Sequence, residues 1–385
     1  MESVDLIIIG GGIHGVGVAQ AAAAAGYKSI LVEQTALAAA TSSRSSKLIH
    51  GGLRYLETMQ LGLVRESLRE RRTLLKIAPT LVRATRFHIP IYKNTSRRPW
   101  MIRAGLSLYA LLAGLHRRAW FQQINQNQWH QLDGLKTENL DKVFCYWDAQ
   151  TDDAKLTEAV MRSAQSLGAK LLMPAEFTGA SFDGEFYTVR IQKNGKETIL
   201  RCRALVNAAG PWVNRILDLV TPPAPSLEVD LVQGSHIVIE GKTERGVYYL
   251  EAPSDRRAVF VMPWYEHTLV GTTEKNYEGD PAKVVATQEE IDYLLETYRH
   301  YFPGRGTNVI DNFAGLRVSQ QEKGEAFHRP RDITLHETAS HPGLITIYGG
   351  KLTGYRATAQ KIIAVLEKTL GNRKPIADTR ELKLD

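Results

Sequence analysis

Four glycines in Gly10-Gly11-Gly12-Ile13-His14-Gly15 follow directly on the apolar run Leu6-Ile7-Ile8-Ile9. With that spacing Gly10 lets the chain turn tightly, Gly12 lets the backbone come close to a pyrophosphate, and Gly15 lets the following helix sit against the strand. The N–H groups at the start of such a helix are unpaired and carry partial positive charge, which suits them to hold two phosphates. A second apolar segment, Ser29 to Val32, ends in Glu33, whose carboxylate can accept hydrogen bonds from a ribose. A glycine-rich loop of no function would not need that acid. The stretch therefore reads as a βαβ unit for a dinucleotide, with an alanine-rich helix over Val18 to Ala25.

Two later junctions repeat the logic. Ala204-Leu205-Val206-Asn207-Ala208-Ala209-Gly210-Pro211-Trp212 is an apolar strand ending in small residues, which brings bare backbone against a ligand unless it is a plain tight turn. Leu344 to Tyr348 is another strand, followed by Gly349-Gly350-Lys351-Leu352-Thr353-Gly354-Tyr355-Arg356 and a helix through Leu366, so a second helix N-terminus faces the same way. Between Glu33 and the first long helix lies Thr41-Ser42-Ser43-Arg44-Ser45-Ser46-Lys47, continuing through His50-Gly51-Gly52-Leu53-Arg54-Tyr55. Placed after the ribose-binding acid, these hydroxyls and cations form a second layer of donors. Taken alone they would be an exposed loop.

The elements that must position these residues are those of an ordinary two-domain protein. At 385 residues, with 43% hydrophobic and 23% charged residues, the chain can build two proper cores, and disorder is not indicated. Cys145 and Cys202 have neither metal nor disulfide spacing, so both thiols are expected in the core, in a reducing compartment. Acids at Glu2 and Asp5 stand where a signal peptide would be basic, which points to the cytoplasm. The net charge of +7 suits anionic ligands or an anionic membrane surface. With no basic helix or aromatic-basic sheet motif, nucleic acid is not an expected partner.

Leu61 to Lys76 has the periodicity of an amphipathic helix, with Leu61, Val64, Leu68 and Leu75 inward and Glu66, Arg69, Glu70, Arg71 and Arg72 mostly outward. The segment 97–121 has an apolar centre too short for a span of about twenty residues, yet arginines and tryptophans bracket it. It reads as a helix lying in the headgroup region, against the alternative of a buried core helix. Asp152 or Asp153 caps a helix from Ala154 to Leu167, and Asp183-Gly184 and Asn194-Gly195 are hairpin turns. Strands are expected at Glu228 to Val232, His236 to Glu240, Gly246 to Glu251, Ala258 to Trp264 and Leu269 to Thr273. Thr287-Gln288-Glu289-Glu290 is a capping box opening a helix over Ile291 to Tyr301.

The run Ala40-Thr41-Ser42-Ser43, with Ser45-Ser46-Lys47-Leu48-Ile49-His50-Gly51-Gly52-Leu53-Arg54-Tyr55-Leu56-Glu57, resembles the signature of the FAD-dependent glycerol-3-phosphate dehydrogenases, within the D-amino-acid-oxidase-like flavoproteins. The likeness extends from near Val4 to near Leu370. It implies FAD rather than NAD, and an α/β fold: a Rossmann-like FAD-binding domain over 1–80, 150–215 and 310–385, interleaved with a largely antiparallel substrate (cap) domain over 81–149 and 216–309. The family's core without its C-terminal helical domain is expected.

Residue by residue, the resemblance implies that Gly10, Gly12, Ile13, His14, Gly15, Glu33 and Gln34 hold the cofactor from the first unit. Thr41, Ser42, Ser43, Ser46, Lys47 and Ile49 hold it from the hydroxyl run, and Phe177, Ala208, Gly210 and Trp212 from the middle of the chain. Arg317, Gly350, Lys351, Leu352 and Thr353 complete the set. Arg54, Arg317 and Arg331 match substrate-contacting arginines and would clamp a phosphate, with Tyr55 beside them. His236, with an unperturbed pKa near neutrality, is the expected proton acceptor; Arg317 and Lys351 complete the catalytic set.

The implied reaction is oxidation of sn-glycerol 3-phosphate at C2 to dihydroxyacetone phosphate, with hydride to flavin N5 and electrons on to a membrane quinone or other acceptor. A protein peripheral on the inner face of the cytoplasmic membrane follows, and a homodimer is left open. Val318 stands where members carry proline and Gly354 where they carry a second threonine, which leaves substrate choice open. The rivals are a flavin oxidase or dehydrogenase of a hydroxy acid or amine, and a non-catalytic FAD-binding protein of the membrane surface. Three convergent arginines favour a dianionic phosphate over a carboxylate.

Overall fold

The computed structural model describes residues 2–114, 118–320 and 333–385. Strand β1 (Glu2–Ile9) runs parallel between β2 (Ser29–Val32) and the strand Lys196–Asn207. Leu6 to Ile9 are buried on both faces, as a central parallel strand requires. Helix α1 (Ile13–Ala24) makes the crossover, and its alanines let it lie close to the helices Asp153–Ser166 and Tyr355–Leu370. The strand Leu344–Tyr348 adds in parallel on the other side of Lys196–Asn207. The hairpin strands Glu176–Phe182 and Tyr187–Lys193 continue the sheet outward, and Asn194 and Gly195 turn with positive φ as the expected two-residue hairpin demands.

Among the described residues a second sheet of ten strands is largely antiparallel. Its long pairs are Val82–Tyr92 with Leu140–Thr151, and Val229–Ile239 with Val309–Gln320. Side chains alternate faces along it. Ile237, Ile239, Val259 and Val261 join the helix Gln288–Tyr301, while Val238, Met262 and Phe87 join helices α2 (Leu61–Ile77) and α3 (Pro99–Leu112). The helix Gln288–Tyr301 opens on the expected capping box, with Thr287 and Glu290 bonded reciprocally. Asp152 caps the helix Asp153–Ser166, accepting from Lys155 N at 3.1 Å. Both cysteines are buried and free.

The structure departs from the sequence expectations in three places. The strands expected at 228–232 and 236–240 are one strand, Val229–Ile239. Gly234 does not break it; a Cβ there would sit 2.6 Å from Thr272 Oγ1, so the glycine serves close approach within the strand. The strand Val309–Gln320, which opens the 310–385 portion that the resemblance implied to be FAD-binding, is hydrogen-bonded into the second sheet. On α2, Glu70 and Arg71 are buried rather than outward. Glu70 receives a bidentate pair from Arg356 at 2.6 and 2.8 Å, and Arg71 pairs with buried Asp148.

Segment 97–121, of which 115–117 lie outside the described residues, shares features of both the expected headgroup helix and its core-helix alternative. Its helix α3 is neither wholly buried nor wholly exposed. Leu106, Tyr109 and Ala110 face the core, whereas Trp100 (71% exposed), Leu111 (59%) and the following Trp120 (54%) face outward. Among the described residues no helix is long and apolar enough to cross a membrane.

Candidate active site

The three glycine junctions meet. A Cβ on Gly10, whose φ is +108°, would lie 2.6 Å from the carbonyl of Ala208, and one on Gly15 would lie 1.9 Å from the carbonyl of Gly10. A Cβ on Gly350 would lie 2.2 Å from Nε2 of His14. Segments from both ends and the middle of the chain therefore touch at the carboxyl end of β1, where an open parallel sheet binds its ligands. A cavity of about 1150 Å³ opens there, between the two sheets. That exceeds the range of about 300–1,000 Å³ usual for a single small ligand.

Its wall contains most of the expected cofactor residues: Gly10, Gly12, Ile13, His14, Glu33, Gln34, Thr41, Ser42, Ser46, Phe177, Ala208, Gly210, Trp212, Gly350, Lys351, Leu352 and Thr353. Glu33 is held by its own loop: one carboxylate oxygen accepts from Gly11 N at 2.7 Å and the other from Thr35 N at 2.8 Å. Ser42 Oγ accepts from Ile13 N at 2.9 Å at the mouth of α1. His14 is half-buried in the wall, desolvation lowers its pKa to about 4, and its Nδ1 has no hydrogen-bond partner among the described residues.

Four expected cofactor residues are not in the wall. Gly15 serves the strand-helix contact, and Ile49 is buried in the second sheet beside Ala149. Ser43 Oγ donates to Ala40 O at 3.1 Å. Lys47 is buried behind the wall. Its ammonium pairs with Asp153 at 2.7 Å, donates to Ser43 O, and lies 5.2 and 5.1 Å from the rings of Trp264 and Phe313. The hydroxyl run thus spends its donors on the protein: Thr41 Oγ1 donates to Leu316 O at 2.7 Å and Ser45 Oγ to Asp153 at 2.6 Å. It fastens the first sheet to the second.

At the second-sheet side of the cavity stand Tyr55, His236, Glu274 and Arg317. Lys351 Nζ is 3.9 Å from the Tyr55 ring centroid. Of the three expected clamp arginines, Arg317 lines the cavity, Arg54 sits half-buried off its wall, and Arg331 lies outside the described residues. Arg317 pairs with Glu274, whose other carboxylate oxygen is 3.8 Å from Arg257.

His236 corrects its expectation. Its Nε2 is 2.9 Å from Ser46 Oγ and its ring stacks on Phe313 at 4.9 Å between centroids. Burial first, and the Lys47 charge second, push its pKa down to about 3 rather than leaving it near neutrality. The ring is therefore neutral at physiological pH. Glu274 lines the cavity although the sequence reading gave it no role, and His50, placed there only within the donor run, lines it too. His50 and Thr353 are tied by bonds of 3.2 and 3.4 Å, joining the hydroxyl run to the last glycine junction. The one signal for Glu274 was its place after a strand ending in Gly271-Thr272-Thr273, the same pattern of small residues as the other junctions.

The donor set fits a flavin dinucleotide: a glycine cradle with no room for a Cβ, an acid beside it, a helix N-terminus, and a cavity long enough to leave space for a second ligand. A family model described as "DAO: FAD dependent oxidoreductase" matches residues 5–356, and the chain belongs to that family. Within it, the chain is similar to the glycerol-3-phosphate dehydrogenase of Pseudomonas aeruginosa, with 38% identity over 381 residues, covering 97% of this chain and 73% of the relative. It is also similar to the D-erythritol 1-phosphate dehydrogenase of Brucella abortus, with 37% identity over 371 residues, 94% of this chain and 73% of the relative. Among solved structures, the glycerol-3-phosphate dehydrogenase of Bacillus halodurans complexed with FAD superposes with a TM-score of 0.78 at 28% identity, covering 99% of this chain and 68% of that one.

Proposed function

We propose that this protein oxidises a polyol phosphate, sn-glycerol 3-phosphate foremost, to the corresponding ketone, dihydroxyacetone phosphate. One observation carries the reading: Arg317, Lys351, Tyr55 and neutral His236 line the same cavity as the glycine cradle. Gly10, Gly12, Ile13, Glu33, Ser42 and Gly350 would hold FAD, which when bound supplies the two-electron acceptor. Arg317 and Lys351 provide positive charge for a phosphate dianion. His236, oriented by Ser46, accepts the proton of the C2 hydroxyl as hydride leaves that carbon.

The test is the visible spectrum of the flavin-loaded protein under anaerobic conditions before and after glycerol 3-phosphate. Bleaching of the flavin band is expected. Bleaching by 2-hydroxyglutarate or amino acids alone would move the protein to the hydroxy-acid and amine oxidases, and bleaching by none would leave a non-catalytic flavoprotein. D-erythritol 1-phosphate belongs in the same series, because the Brucella abortus enzyme named for it is about as similar as those named for glycerol 3-phosphate.

Delivery of electrons to a quinone-type acceptor belongs to the same proposal, with the protein peripheral on the inner face of the cytoplasmic membrane. Its support is the outward face of α3 and the residue beyond it, where Trp100, Leu111 and Trp120 stand exposed. Sedimentation of the purified protein decides whether it forms a homodimer.

A further inference from the structure

Behind the substrate side of the cavity lies a buried polar cluster that the reaction as described does not use. Tyr109 of α3 and Asp148 of the strand Leu140–Thr151 are both buried, and neither lines that cavity. The Tyr109 hydroxyl donates to Asp148 Oδ2 at 2.8 Å and accepts from Gly51 N at 2.9 Å. Arg71 of α2 pairs with the same carboxylate and donates to Trp147 O at 2.8 Å. Burial first, and the Asp148 charge second, hold the phenol well above its usual pKa, so it stays protonated and can donate. Two helices and a strand of the second sheet thus converge on one backbone N–H.

That N–H belongs to the loop that faces the ligand. His50 and Tyr55, on either side of Gly51, stand in the cavity wall, and Lys351 Nζ rests 3.9 Å from the centroid of the Tyr55 ring. The loop has little slack between cluster and wall. A Cβ on Gly51 would lie 2.4 Å from the Tyr109 hydroxyl, and one on Gly52, at φ +74°, would lie 2.2 Å from the Tyr55 ring. On the other side His50 N donates to Thr353 Oγ1 at 3.2 Å.

We infer that Tyr109, backed by Asp148 and Arg71, is a positioning residue: its hydroxyl holds the His50–Tyr55 loop against the cavity and so sets where Tyr55 meets the substrate. The catalytic consequence rests on the polyol-phosphate reading of the site. A phenylalanine would fill the same volume without bringing a hydroxyl that needs partners. The two partners it has, Asp148 and Gly51, come from separate parts of the chain, so the hydroxyl fixes the distance between α3 and the loop. Without it Gly51 N is left with Asp148 Oδ1 at 3.4 Å, too long for a strong bond, and the buried carboxylate loses a donor. The loop then has several placements in place of one. A misplacement of about 1 Å in a substrate-contacting group can slow a reaction by a factor of about 100.

The experiment compares the flavin-loaded parent protein with Tyr109→Phe, and with Tyr248→Phe as the control. Tyr248 is likewise a buried tyrosine donating to an aspartate, Asp133 at 2.8 Å, but both lie outside the cavity wall. Two quantities are read on each: amide hydrogen exchange by mass spectrometry, and anaerobic reduction of the flavin by saturating glycerol 3-phosphate in stopped flow. Tyr109→Phe should exchange over residues 50–55 about tenfold faster or more, and its flavin should be reduced about tenfold more slowly or worse, with FAD content unchanged. Tyr248→Phe should stay within about twofold of the parent on both, because its site is independent of the loop. Parent-like exchange over 50–55 in Tyr109→Phe overturns the inference. So does faster exchange with an unchanged reduction rate, or an equal slowing in Tyr248→Phe. Should Tyr109→Phe not take up FAD, Gly51→Ala displaces the loop from the same hydroxyl and is read by the same criteria. A parent protein whose flavin is not reduced by glycerol 3-phosphate defeats the polyol-phosphate reading, and the exchange comparison then decides this inference on its own.

Discussion

Replacing Asp153 with alanine should destabilise the protein far more than any single exposed charge could. The Asp153 carboxylate is fully buried and accepts from Lys47 Nζ at 2.7 Å, Ser45 N at 3.0 Å and Ser45 Oγ at 2.6 Å. Lys47 itself is only 5% exposed, so Asp153→Ala leaves an ammonium in the interior with a backbone carbonyl and two aromatic rings for company. Breaking a buried pair from one side costs about 3–5 kcal/mol, because the remaining charge is uncompensated. At about 2.1 cal/mol/K per residue, a chain of 385 residues unfolds with about 0.8 kcal/mol/K, so the midpoint should fall by about 4–6 °C. The assay is thermal unfolding of the flavin-loaded protein by calorimetry, with Lys47→Met/Asp153→Leu as the control. The double variant removes both charges and should cost less than the single one, since an apolar pair of similar volume is often neutral. A single variant within about 1 °C of the parent, or a double variant no better than the single, would refute the argument.

The same pair shows where sequence reasoning stops. The glycine junctions were legible because their constraint is local: a strand, a residue with no Cβ, a helix. The structure then brings Gly10 to Ala208 and Gly350 to His14. The hydroxyl run was legible as a site segment but not in detail, because a serine's partner is set by what folds against it. Ser45 and Lys47 turn to Asp153, Ser46 to His236, and Thr41 to Leu316, all far along the chain. Burial of charge was invisible for the same reason. Glu70 and Arg71 sit on an amphipathic helix with outward-looking chemistry, yet Glu70 finds Arg356 286 residues away and Arg71 finds Asp148 77 residues away. The pKa of His236 could not be read either. It is set by Phe313 stacked on one side and by Gly271, where a Cβ would come within 2.0 Å of the ring, and neither is near it in sequence.

Three further outcomes are expected. Arg317→Ala should retain FAD but lose about 1.5–3 kcal/mol of charge-assisted binding, roughly 10- to 150-fold in kcat/KM for a phosphorylated substrate; unchanged kinetics would remove Arg317 from the clamp. Trp100→Ala with Leu111→Ala should weaken partitioning to anionic liposomes by tenfold or more, since each large apolar side chain contributes about 1.5–3 kcal/mol when buried; equal sedimentation with vesicles would assign that face to something other than a bilayer. Stability should also fall with acid, and the sign follows from three desolvated histidines, His88 and His236 buried and His14 half-buried. Desolvation lowers the pKa of His14 and His88 to about 4 and that of His236 to about 3, whereas an unfolded histidine titrates near 6.5. Below about 6.5 the unfolded chain therefore takes up protons that the folded one refuses, so stability is complete above that pH and is lost as pH falls toward about 4, on the order of 1 kcal/mol per pH unit for each histidine. Urea unfolding of the parent at pH 7.5, 6 and 5 should show the fall, and His88→Phe, at a position stacked on Tyr248 and outside the cavity wall, should lessen its slope by about one proton's worth. A parent protein equally stable at pH 7.5 and 5 would mean that these rings are not held neutral by the fold.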